Sequence, residues 1–178
     1  MFTHKTLAAL VLALSFSAGA AFAQNAGLGK PISEADIKQW DIAILPDGTN
    51  LPPGSGTPAQ GAKIFAEKCS SCHGDAGKGG VAPPYPALVG GGPLVAIDTP
   101  KTIANYYAYA TTIFDYTRRG MPYNAPRSLT DDEVYATTAY ILSLNKLIGE
   151  NDVMDVKTLP QVKMPNRDNF ILPYPDRI

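Results

Sequence analysis

Histidine and cysteine are scarce in this chain, two of each in 178 residues, and tryptophan occurs once. Two cysteines exclude a scaffold built on disulfides, which needs several bridges for its size. Charged residues make up only 17% and their formal sum is −1, which leaves no electrostatic footprint for nucleic acid or an anionic membrane surface. No run of alternating apolar and polar residues marks a convincing strand. The glycines of "GDAGKGG" (74–80) lack both a flanking strand and phosphate-loop spacing. No paired carboxylates or Ser–His arrangement stands out as catalytic. What is plentiful is turn chemistry, with 16 glycines and 16 prolines concentrated outside the helical patterns.

The N-terminus reads as an address. Lys5 precedes an uncharged run from Leu7 to Ala21, and Ala21-Phe22-Ala23 supplies an A-x-A cleavage pattern. The run is short for a membrane span and no basic stop-transfer cluster follows. The expectation is a signal peptide over 1–23, cleaved after Ala23, giving a periplasmic chain with no stable membrane insertion. Without twin arginines the chain would cross unfolded and take up any cofactor outside.

Residues 24–56 show little helical period and read as an extended N-terminal arm, which Ile32, Trp40, Ile42, Ile44 and Leu45 could pin down. A single domain is expected over 57–147. Thr57 and Pro58 start a helix whose stripe is Ala62, Phe65 and Ala66, running into Cys69. A second helix is expected from Thr99-Pro100 to Gly120, with a break near Thr111. A third opens on the capping box of Thr130 and Glu133 and extends to Asn145. The fold class is therefore all-α with long loops. In the C-terminal tail, 148–178, Phe170, Ile171, Leu172 and Tyr174 either fold back on the domain or dock on another protein.

The chemistry sits in "KCSSCHG", residues 68–74. A Cys69–Cys72 disulfide is the plain alternative in an oxidising compartment, but it closes a tiny loop and leaves His73 without a role. A thioredoxin-like pair should open a helix after a strand, and this pair follows a helix. Zinc fails by ligand count once His4 leaves with the signal peptide. C-x-x-C-H fits covalent haem: thiols at i and i+3 meet one porphyrin edge, and the next imidazole reaches iron. The second axial ligand is sought among methionines. Met121, in the Gly-Met-Pro loop between two helices, leads, with Met164 and then Met154 behind it; a core role is the alternative for each. Arg118 and Arg119 either meet haem propionates, steer a partner, or are solvated helix-end charges. The tyrosines 106, 107, 109 and 116 read as packing.

Together "TPAQGAKIFAEKCSSCHG", "YPALVGG" and "RRGMP" resemble a class I cytochrome c over about residues 57–146. The resemblance implies helices around one covalent haem c, with Gly61 and Phe65 at the crossing with the last helix near Tyr140 and Ile141. It also implies His73 and Met121 as iron ligands, the Pro86 carbonyl accepting the His73 Nδ1–H bond, and Leu88 packing on the haem. "ILPDGTNLPPGSGTPAQGAKIF" and "VKMPNRDNFI" are further similar to haem subunits of periplasmic molybdenum sulfite and sulfane dehydrogenases, the SoxD and SorB type. That likeness implies a molybdenum-containing catalytic partner, a soluble cytochrome acceptor, and arms that embrace the partner. The chain would then transfer electrons without being an enzyme by itself. A free-standing carrier and a haem sensor with a displaceable Met121 are the competing readings.

Overall fold

The computed structural model describes residues 29–79 and 87–170. The signal-peptide expectation for 1–23, Pro86, and Ile171, Leu172 and Tyr174 of the tail lie outside these residues. The chain divides into a unit ending at Asp41 and a larger one beginning at Ile42.

In the first unit, α1 (Glu34–Trp40) is a helix that the sequence period does not announce. Its signal is a capping box instead: Ser33 Oγ accepts from the Asp36 N–H while the Asp36 carboxylate accepts from the Ser33 N–H at 3.1 Å. None of its residues is buried, and Trp40 is 84% exposed, so no apolar stripe was needed to make the helix.

In the second unit, Ile44 is the arm residue that enters the core. Its N–H donates to Asp115 Oδ1 at 3.2 Å, and Asp115 also pairs with Arg119, so the buried carboxylate is both bonded and neutralised. Ile42 is half-buried, whereas Leu45, like Ile32 and Trp40 of the first unit, is exposed. Strand β1 (Ser55–Gly56) pairs antiparallel with β2 (Met154–Asp155), Gly56 opposite Met154. This two-residue ladder ties the arm to the tail.

Helix α2 (Pro58–Lys68) begins at the expected cap, with Thr57 and Gln60 forming a capping box. Its buried face is Pro58, Gly61 and Phe65, while Ala66 is exposed and Ala62 only half-buried. After Cys69 the chain makes one more turn, α3 (Ser70–His73). Helix α4 (Ile103–Tyr106) is capped by Thr102 and not by Thr99, a start three residues later than expected. The Thr102 N–H finds Asn105 Oδ1 at 2.7 Å, whereas the Thr99 hydroxyl is used in a turn, accepting from the Ala96 N–H. The break falls at Tyr107 to Tyr109, ahead of Thr111, and α5 (Ala110–Gly120) follows. Helix α6 (Asp131–Leu144) carries the expected Thr130–Glu133 box, with Lys68 on α2 holding the Glu133 carboxyl below its usual range.

The core lies where α2 and α5 pack on α6, around Phe65, Phe114, Val134, Tyr135 and Leu142. The tail belongs to it: Met154, Leu159, Val162 and Met164 are all buried there. Burying a side chain such as Leu142 or Leu159 stabilises the fold by roughly 1.5–3 kcal/mol. The tyrosines pack as expected in part. The Tyr106 and Tyr107 rings meet in a T-shape at 5.7 Å, and the Arg167 guanidinium sits 4.7 Å over Tyr109, while Tyr116 is exposed.

Candidate functional site

Cys69 is the last residue before the turn that holds Cys72 and His73. Its N–H still donates to Phe65 at the end of α2, and its carbonyl accepts from both Cys72 and His73. The i, i+3 spacing on this turn puts the two sulfurs on one side. No disulfide joins them, and both are half-buried. Cys69 packs against the edge of the core, and that burial pushes its thiol up to about 11. Among the described residues no three His, Cys, Asp or Glu side chains gather to hold a bare metal ion. One imidazole and two thiols on a single turn, with Cys69 at the edge of the apolar core, suit a flat organic group attached through sulfur.

His73 is half-buried and ends this turn. Behind it the backbone folds tightly: the Gly79 N–H donates to the His73 carbonyl at 3.0 Å. Gly74 is required there, because its φ is 73° and a Cβ would stand 2.0 Å from the Gly79 oxygen. The carbonyl of Gly77 accepts from the N–H groups of Leu88 and Val89 at 2.8 and 3.2 Å, so the loop after His73 carries the Leu88 segment directly.

Asn145 is the residue that sequence reading missed. At the C-terminal end of α6, its Nδ2 donates to the carbonyls of Leu88 (3.1 Å) and Ile141 (2.9 Å), and its Oδ1 accepts from Gly90 at 3.3 Å. Thr102 donates its hydroxyl to the Gly90 carbonyl, and Asn105 donates to Gly92 at 3.0 Å. The 88–92 loop is thereby fixed from three sides. An asparagine just past a long helix is a cap signal that marked the helix end but could not name the loop it holds.

The three methionines take different places. Met121 follows α5 with extended backbone (φ −117°, ψ 149°) and is half-buried on its loop. Met154 and Met164 are enclosed in the core at 4% and 3% exposure. Arg118 and Arg119 are each engaged by a carboxylate, Asp131 at 3.0 Å and Asp115 respectively. Leu88 is half-buried against the core.

Comparison with known proteins agrees with this arrangement. The family model described as Cytochrome c matches residues 58–145. A solved structure, the sulfane dehydrogenase SoxCD from Paracoccus pantotrophus, contains a chain that is 40% identical with a TM-score of 0.72. The match covers 86% of this chain and 73% of that one. No curated protein matches. No helix among the described residues is long and apolar enough to cross a membrane.

Proposed function

Since the chain belongs to the class I cytochrome c family, a haem c electron carrier, we propose that it is the electron-accepting subunit of a periplasmic dehydrogenase of reduced sulfur, sulfite or a sulfane. The observation that carries this reading is the reach of the likeness. It spans 86% of the chain, well beyond the matched domain at 58–145, and so takes in sequence that a shared haem fold alone does not require. A catalytic subunit containing molybdenum would supply electrons, a soluble cytochrome would receive them, and the chain would catalyse nothing by itself.

Haem c, when bound, would supply a one-electron couple, a role that asks for no substrate chemistry at the iron. The chain's own residues hold and orient it. Cys69 and Cys72 would hold the haem covalently through their sulfurs. His73 through a ring nitrogen and Met121 through its thioether sulfur would hold the iron. The half-buried place of Met121, against the enclosure of Met154 and Met164 in the core, supports that choice. Leu88 would pack on the haem, and by the family resemblance Pro86 would offer its carbonyl to His73.

The ligand assignment is tested with Met121→Ala in the haem-loaded chain. The weak far-red band of ferric iron–methionine ligation should vanish, and the ferrous form should gain carbon monoxide binding. A surviving band would move the ligand to Met164 or Met154. The partner is tested by affinity capture from the native periplasm, read by molybdenum content in stoichiometric amount. Recovery of the haem chain alone would leave a free-standing carrier, and carbon monoxide binding by the parent would favour a sensor.

A further inference from the structure

Arginine flanks the Met121 loop at both stems, Arg118 and Arg119 before it and Arg127 after it. The fold brings all three to one cleft of about 120 Å³, completed by Ile42, Leu129 and Asp131. Arg118 Nε donates to Asp131 at 3.0 Å and Arg119 pairs with Asp115. Among the described residues no carboxylate forms an ion pair with Arg127. Three guanidiniums against two carboxylates leave one positive charge in excess. Each guanidinium has five N–H donors in a fixed fork, and one carboxylate contact leaves most of them available. Arg127 also holds a left-handed backbone, φ 64°, which is unfavourable for a residue with a Cβ and is found where a side chain must be presented in a set direction.

We propose that this cleft binds a small oxyanion of sulfate or phosphate size. Its volume of about 120 Å³ has room for one tetrahedral oxyanion. Planar guanidinium forks match oxyanion edges through charge-assisted hydrogen bonds. A bound anion joins the two stems of the loop, α5 before it and the entry to α6 after it. The importance of that clamp to Met121 rests on the ligand reading above, but the binding itself does not.

The experiment titrates the haem-loaded chain with sodium sulfate, sodium phosphate and sodium chloride at matched ionic strength, read by calorimetry and by thermal midpoint. Saturable heat and a raised midpoint are expected with sulfate and phosphate and not with chloride, since a ligand of the folded state stabilises it by mass action. Arg127→Gln should weaken the saturation roughly tenfold, the effect of one lost charge-assisted hydrogen bond, with an unchanged visible spectrum. Equal responses to sulfate and chloride would overturn the site, as would a variant that titrates like the parent. No response at all, the result if haem propionates fill the cleft, would overturn it too. None of these outcomes depends on the far-red band or on partner capture.

Discussion

At the scale of single residues, the site's loops depend on groups outside the Cys-His motif. Asn145 commits two hydrogen bonds to joining the end of α6 to Leu88 and Gly90 and a third to Ile141 within the helix, and Leu88 in turn leans on the loop behind His73. With each net bond worth about 1 kcal/mol, Asn145→Ala should cost roughly 2–3 kcal/mol. The sharper readout is local. Amide exchange at Gly90 should speed up, and the haem-loaded variant should show a shifted reduction potential as the loop beside His73 loosens. Unchanged exchange at Gly90 would show that Asn145 merely caps its helix. Cys69, Cys72 and His73 were legible as candidates because covalent haem calls for those types at that spacing. Asn145 was not, since its partners lie 55 and 57 residues away in sequence.

At the scale of elements, the crossing of α2 and α6 sets the frame. A Cβ on Gly61 would stand 1.9 Å from the Ala136 carbonyl oxygen and 2.7 Å from Tyr140 Cβ, so the two backbones touch where any side chain would separate them. Phe65, one turn on, then meets Tyr140 with ring centroids 5.4 Å apart. Gly61→Ala should destabilise the fold by about 1–3 kcal/mol or more, because neither backbone can yield. A thermal midpoint within a degree of the parent would show that the helices can slide apart. The expected stripe of Ala62, Phe65 and Ala66 picked the right helix but only one right residue. Its apolar count ignored Gly61, whose value lies in having no side chain. The break in the α4–α5 region was legible in kind and misplaced by a few residues, since Thr102 and Asn105 outcompete Thr99 as the start.

At the scale of the molecule, the C-terminal segment is a structural part of the domain. Leu159 is fully buried and Met154, Val162 and Met164 nearly so, while Asn166 donates to the Tyr106 carbonyl at 2.7 Å across the α4–α5 break. Leu159→Ala should therefore cost about 2–5 kcal/mol, as for a leucine in the centre of a core. Chemical denaturation would measure it, and a loss under about 1 kcal/mol would make the segment a loose appendage. Phe170 remains half-exposed against Tyr106, at the edge of the described chain.

Local rules were enough for the haem motif, the helix starts at Thr57 and Thr130, and the all-α class, because spacing within a turn and caps within four residues are properties of adjacent sequence. The same local rules announce α1 once its capping box is read in place of its periodicity. Only the folded chain decided that Met154 and Met164 go to the core while Met121 stays on its loop, and that Asn145 grips Leu88. It alone gathered Arg118, Arg119 and Arg127 around one cleft. Those outcomes depend on which distant segments are brought within hydrogen-bond reach, and long-range packing sets that proximity.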